Sequence, residues 1–474
     1  MSDSLSLASS LSMLGPVPTS PTSGPVSQPT PPRRLAAAST AVDWGVVVTL
    51  RREAAEHIGA ATEQWLNERG QAMPDEDLRV RARAIIRAVV HARAQQLSDD
   101  GEALWPIALE TRYADAVENA IFGYGRLQPL FEIPEAENIE IHGHDSVMVQ
   151  YGDGRRVEHP PVADTDEELV EAIRFLGETA KPPRPFDDAH PTMTLALGSR
   201  FRLHAIGFGL SYRPSVVIRQ HRLTDVSLHD LARTGMLPDE LASLLEAAVL
   251  ARKSIVISGD QGAGKTTLLR GLIAAIQPNE RFGTLETDYE LLTHLHEHRR
   301  NMLALQARIG LGESAGEKAV GAYSVADLIP EALRQNLTRL VVGEVRGSEA
   351  GAMFEAMQSG AGTLSTTHSH SAASTIDRLA SRVAQGGVLT VDEALRQIAH
   401  HIDLIIHVVL RDDTWRGGRR TRFVSEVRQL TGSLEGGRPT THLLYRAGTD
   451  TAPELFDPSP ELLSELAEFR RMRR

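Results

Sequence analysis

Apolar positions change their spacing several times along the chain, and each change marks a different kind of element. "VRARAIIRAVVHARAQQL" (80–97) carries apolar residues at three- and four-residue intervals among arginines. That period predicts an amphipathic helix with a solvated basic face. It characterises residues 41–103, a helical N-terminal segment. Across 104–226 the texture becomes mixed. "NIEIHGHDSVMVQYGDGRRVEH" (138–159) reads as strand, turn, strand with "GDG" as a hairpin turn, and "DEELVEAIRFLGETA" (166–180) as a helix. "TLALGSRFRLHAIG" and "SVVIRQHRL" read as further strands. These predict a small α/β domain.

"SLHDLARTGMLPDELASLLEAAVLARK" (227–253) supplies linker helices. From 251 to 474 the pattern alternates short, uniformly apolar runs with helical stretches. Runs such as "KSIVISG" and "RLVVGEVRG" suit strands buried on both faces, so a parallel α/β sheet is expected through about residue 447. "PELLSELAEFRRMRR" closes the chain as a helix with cations at its C-terminal end, where the helix dipole favours them. The other extreme is residues 1–40, rich in Ser, Pro, Thr and Ala. They have too little apolar surface to offset the entropy of ordering, and a disordered tail is expected.

Composition narrows the chemistry. The 474 residues carry a formal net charge of −12, which argues against a general nucleic-acid binder. With no cysteine, there is no disulfide partner, thiol nucleophile or cysteine zinc site. No apolar run approaches the ~18 residues of a membrane span, and the N-terminus lacks a signal-peptide pattern. A soluble cytoplasmic protein is expected.

"GDQGAGKTT" holds the sharpest signal. Gly259, Gly264, Lys265 and Thr266 match G-x-x-x-x-G-K-[ST], and the segment lies between an apolar strand and a helical run. Glycines let backbone N–H groups turn inward around a phosphate. Gly259, Asp260, Gln261, Gly262, Ala263, Gly264, Lys265, Thr266 and Thr267 form the predicted nucleotide cradle. Lys265 is the phosphate-binding cation, and the Thr266 hydroxyl is a Mg²⁺ ligand. Further on, Glu344 ends an apolar strand, as an acid serving the metal shell or a water would. Glu286, Asp288 and Glu290 follow another strand, and His368 ends a polar one. His294, His296 and His298 lack a metal-ligand spacing and read as a solvated segment.

In this order the motifs resemble those of the secretion and pilus traffic ATPases, the type II and type IV secretion motors, with the CpaF/TadA-like branch of Tad pilus assembly the nearest in pattern. The resemblance covers roughly residues 110–435. It implies a RecA-like P-loop NTPase core behind a smaller mixed α/β, PAS-like N-terminal domain. It makes "TLETDYEL" the Asp box, with Glu286 or Glu290 as water-activating carboxylate. It makes "LVVGEVRG" the Walker B strand with Glu344 as its acid, followed by Arg346, and "LSTTHS" the His box with His368. Arg200 and Arg219 fall on strands whose arginines reach across to nucleotide in that family. The resemblance further implies ATP and Mg²⁺ as cofactors, a homohexamer, and an inner-membrane platform protein as partner at the inner face of the membrane. Three departures stand out: Thr287 follows Glu286 where the family has Asp, Gly360 and Ala361 replace the "TGH" segment, and the His box continues "SHS". Two other readings stay open here. One is a nucleic-acid-stimulated P-loop motor, which the acidic balance disfavours; the other is a nucleotide-binding regulator with weak hydrolysis, which the departures favour.

Overall fold

A computed structural model describes residues 42–471 apart from 181–182, 309–313, 316–317, 346, 348, 359–361, 388 and 449–451. The predicted tail, Arg346, Gly360 and Ala361 lie outside the described residues. Helices α1 (Trp44–Arg69), α2 (Asp75–Asp99) and α3 (Ile107–Phe122) pack into a bundle around Leu50, Ile86, Val90, Tyr113 and Val117. The boundary expected at 103/104 therefore falls just before a helix that completes this bundle.

The second unit starts with the short α4 (Gln128–Phe131) and strands β1 (Ala136–His142), β2 (Val147–Tyr151) and β3 (Arg156–His159). Then come α5 (Asp166–Thr179), β4 (Thr192–Leu197), β5 (Phe201–Ile206) and β6 (Ser215–Gln220). The six strands make one antiparallel sheet in the order β3-β2-β1-β6-β5-β4. The stretch predicted as strand, turn, strand holds two hairpins, and "GDG" turns the second, with Gly154 at φ 91.

Helices α6 (Leu228–Arg233) and α7 (Asp239–Leu250) do more than link. Leu228, Leu231, Leu241, Leu244 and Leu245 are buried in one of the two apolar layers flanking the large sheet. That sheet begins with β7 (Ile255–Gly259), followed by α8 (Lys265–Ala274), β8 (Phe282–Glu286) and β9 (Met302–Gln306). A small pair, β10 (Ser314–Ala315) and β11 (Lys318–Ala319), precedes α9 (Val325–Leu333) and β12 (Arg339–Val345). After these come α10 (Glu349–Gln358), β13 (Gly362–His368), α11 (Ala372–Gln385), α12 (Val391–His401) and β14 (Leu404–Asp412). Strands β15 (Arg420–Glu435), β16 (Arg438–Arg446) and β17 (Glu454–Leu455) lead to the final α13 (Pro460–Arg471).

The order is β17-β16-β15-β14-β7-β13-β12-β8-β9, parallel from β14 to β9. Counting the strands that follow the P-loop strand in chain order and leaving aside the edge strand β9, the parallel core runs 5-1-4-3-2, the RecA-like arrangement. Even the uniformly apolar strands alternate between layers. Ile255 and Ile257 of β7 face the layer of α7 and α8, while Val256 faces that of α10 and α11. Burial on both faces is what forces such runs to be apolar throughout.

One expectation is corrected. Beyond β14 the chain does not continue alternating strand and helix; β15, β16 and β17 pair antiparallel as a meander. The cause is local. Gly436 and Gly437 both adopt positive φ, 56° and 79°, between β15 and β16, and a two-residue turn of this kind returns a strand directly beside its predecessor.

Candidate nucleotide site

The site lies at the carboxyl edge of the parallel sheet, where the chain leaves β7 with neighbours on both sides. Such switch points open a crevice for ligands. Gly259 pairs with His368 of β13 on one side and Val408 of β14 on the other. A side chain at Gly259 would place its Cβ 2.2 Å from the Val408 carbonyl oxygen, so only glycine fits. Gly262 and Gly264 hold φ of 75° and 97°, a conformation that L side chains rarely adopt. Asp260 and Gln261 form the outer turn, while Ala263 is buried in the core. Helix α8 then begins at Lys265 with no side-chain cap on its first N–H groups, and Thr266 and Thr267 stand in its first turn. Uncapped amides at a helix start favour an anion.

Lys265 is 7 % exposed, and its Nζ donates to the carbonyls of Gly259 (3.0 Å) and Asp260 (2.9 Å). His368 lies between Lys265 and Glu344. Its Nδ1 is 3.3 Å from Lys265 Nζ, and its Nε2 is 2.8 Å from Glu344 Oε1. An ammonium has no lone pair to offer, so Nδ1 is the accepting nitrogen and the proton sits on Nε2, on the side of the Glu344 carboxylate.

Glu286 ends β8 and is 4 % exposed. Its Oε1 accepts the backbone N–H groups of Glu290 (3.0 Å) and Leu291 (2.8 Å). Burial outweighs those two bonds and pushes the carboxyl up to about 7. Thr266, Glu286, Asp288, Glu290 and Glu344 line a common cleft, which Arg202 of the N-terminal domain closes.

Among the predicted arginines, the contact across the domains is made by a different one. Arg202 in β5 binds Glu290 Oε1 (2.5 Å) and Asp288 Oδ2 (3.1 Å). Arg219 stands directly opposite Arg202 on β6, and its charge helps lower the affinity of Arg270 and His221 for protons. Arg200 stays within its own domain, its guanidinium beside the Gln220 side-chain amide (2.9 Å). The signal for Arg202 was present in "SRFRLHA", where two arginines alternate, but only strand pairing decides which one faces the acids.

Two further cations escaped sequence reasoning. Arg270 of α8 is buried, donates to Leu223 O (2.8 Å) and also binds the Glu290 carbonyl; burial lowers its pKa to about 10, so it stays charged at neutral pH. Arg422 of β15 donates to the P-loop carbonyl of Gly262 (2.7 Å) and to Glu137 (2.6 Å) of the N-terminal domain. It ties the loop to the other domain. The histidine segment is largely solvated, as its spacing suggested: His294 and His298 are exposed, and only the His296 side chain, 18 % exposed, is partly covered.

Residues 160–426, more than half of the chain, match the model of the family described as type II/IV secretion system protein. A putative conjugal transfer protein of Mycobacterium tuberculosis (strain H37Rv) is 29 % identical over 353 residues, 72 % of this chain and 94 % of that protein. Protein VirB11 of Agrobacterium fabrum is 30 % identical over 183 residues, covering 38 % of this chain and 50 % of its own length. Among solved structures, the VirB11 ATPase of the Brucella suis type IV secretion system, in complex with sulphate, is 23 % identical with a TM-score of 0.34, covering 65 % of this chain and 96 % of that one. The pilus retraction motor PilT with bound ADP is 16 % identical with a TM-score of 0.43, covering 73 % of this chain and 87 % of that one. The chain belongs to the type II/IV secretion system protein family.

Proposed function

We propose that this protein hydrolyses ATP with Mg²⁺ and works as a homohexameric motor for pilus assembly or protein export, docked on a platform protein at the inner face of the cell membrane. One observation carries the reading. The P-loop, His368, Glu344 and Glu286 come together at one sheet edge, and Arg202 arrives from a second domain. The family's description, type II/IV secretion system protein, supports the export role, and the motif order, similar to the Tad branch, supports the pilus role.

The residues present fit a nucleotide. The glycine turn leaves a cradle that a Cβ would obstruct, and the helix start is uncapped. Residues Gly259 to Thr267 would hold the phosphates, with Lys265 supplying a positive charge. Thr266 and Glu344 would hold Mg²⁺, which supplies charge neutralisation at the phosphate oxygens. Glu286, with a carboxyl near neutrality, is matched to accept a proton from water. Glu344 stands beside His368 as its charge partner, 2.8 Å from Nε2. Arg202, now paired with Asp288 and Glu290, is the cation placed to stabilise the transition state when the domains close, with Arg219 beside it. Domain closure coupled to hydrolysis is then the mechanical output.

The full chain tests this: phosphate release with and without Mg²⁺, oligomeric mass on the same samples, and a parallel reaction with DNA. Mg²⁺-dependent hydrolysis by a hexamer, indifferent to DNA, is expected. Stimulation by DNA would move the protein to the nucleic-acid motors, and tight nucleotide binding without turnover would make it a regulator. Among these motors' parts, Arg202→Ala is expected to lower kcat by ~10³-fold with little change in ADP affinity, as loss of an arginine finger does. Arg200→Ala should leave both near wild type. Equal losses in the two variants would remove Arg202 from the mechanism.

A further inference from the structure

The Walker B strand is not regular where it matters. β12 and β13 pair in step from Arg339↔Gly362 to Val342↔Ser365, and pairing resumes at Val345↔Thr367. Two residues, Gly343 and Glu344, thus oppose the single Thr366, which is a β-bulge. Pairing of β12 with β8 also ends at Val342↔Leu285.

The bulge changes which face each side chain takes. Leu340 and Val342 lie in the apolar layer of α10 and α11. In a regular strand, with its period of two, Glu344 would follow them into that layer. The extra residue resets the phase. Val345 takes the apolar face instead, and Glu344 turns to the cleft, 2.8 Å from His368 Nε2. Gly343 makes the room that this arrangement needs, because a Cβ there would sit 3.0 Å from Glu286 Cγ.

A bulge breaks the ladder locally and takes backbone carbonyls out of regular register. Here side chains bind them. The Thr366 hydroxyl donates to Gly343 O (2.6 Å), and the Thr367 hydroxyl donates to Val345 O (3.1 Å). Both threonines are almost fully buried. Water is therefore a poor substitute for either hydroxyl.

We propose that Thr366 is a positioning residue whose buried hydroxyl holds the bulge and so turns Glu344 out of the apolar layer toward the nucleotide cleft. Thr367 fixes the far side of the same bulge. The proposal rests on the reading of the cleft as the hydrolytic site. Neither threonine touches the reacting atoms; each acts through the backbone of β12.

Crystal structures, hydrolysis and binding of a fluorescent ADP analogue by Thr366→Val, Thr366→Ala and Thr366→Ser in the full chain test it. In the valine and alanine variants kcat should fall by roughly 10²-fold, as a misplaced catalytic group costs, while KM and analogue affinity change little. Their crystal structures should show Glu344 withdrawn from His368. Thr366→Ser keeps the hydroxyl and should retain both the contact and kcat. A Glu344–His368 contact unchanged in the valine or alanine variant overturns the proposal, as does a serine variant as slow as valine. The alanine variant adds no atoms and stands in should valine fail to fold. A wild type that hydrolyses no ATP would refute the functional reading alone, since the crystal structures still decide whether Thr366 aims Glu344.

Discussion

Lys265→Ala is expected to fold and to lose ATP hydrolysis by at least ~10³-fold, the scale on which enzymes lose charged transition-state stabilisers. The ammonium is held at the start of α8 by two carbonyls of its own loop and lies beside His368. Alanine removes the charge and the two hydrogen bonds that the ammonium donates. Asp260 is exposed, so water can bind its carbonyl, while the Gly259 carbonyl is buried and loses its donor; the fold should lose about 1–3 kcal/mol. Lys265→Arg should be nearly as inactive, because a planar fork does not occupy the place of a point charge on a flexible stem. Phosphate release, nucleotide affinity and thermal unfolding on the same samples separate these effects. Arg438→Ala serves as the control. It breaks an exposed pair with Asp377 far along the chain, and exposed pairs contribute ~0–1 kcal/mol. Turnover by Lys265→Ala within about tenfold of wild type would exclude this P-loop as the hydrolytic site.

Glu286→Gln should produce two opposite changes: loss of turnover and a gain in stability above neutral pH. As a general base its removal is worth ~10²–10⁴-fold in rate. The stability change follows from its carboxyl, raised by burial from 4.5 to about 7. Below pH 4.5 the group is protonated in the folded and unfolded chains alike. Between 4.5 and 7 the folded protein keeps a proton that the unfolded chain has released, so wild-type stability falls as pH rises. The loss is complete above 7 and amounts to about 3 kcal/mol, at ~1.4 kcal/mol per pH unit. Glutamine stays neutral, and its side-chain oxygen can accept the same two N–H groups. Glu286→Gln should therefore melt several degrees above wild type at pH 8, with the difference closing by pH 5. Scans of Tm across that range test it. A gap that does not depend on pH would mean that Glu286 is not the buried, proton-holding carboxyl. In the wild type, kcat/KM should rise through a pKa near neutrality, as a base of this kind requires.

The sequence by itself determined everything whose geometry is local. The Gly259–Thr266 turn was legible because its form depends on consecutive dihedral angles, which glycine spacing dictates. Glu286, Glu344 and His368 were legible because each ends a strand, and strands announce themselves by apolar runs. The antiparallel meander was legible too, in the Gly436–Gly437 pair, but the stronger alternation upstream masked it.

Tertiary structure decided the rest. Whether Arg200, Arg202 or Arg219 faces the acids depends on how β5 and β6 pair and how their sheet docks, and no nearby residue reports either. Arg422 and the Gly262 carbonyl it holds are 160 positions apart. The bulge opposite Thr366 exists only because two strands pair out of step, so the face taken by Glu344 could not be read from its own strand. Spacing along the chain encodes contacts within a turn or a strand; contacts between strands and domains are set by packing, which the local pattern does not carry.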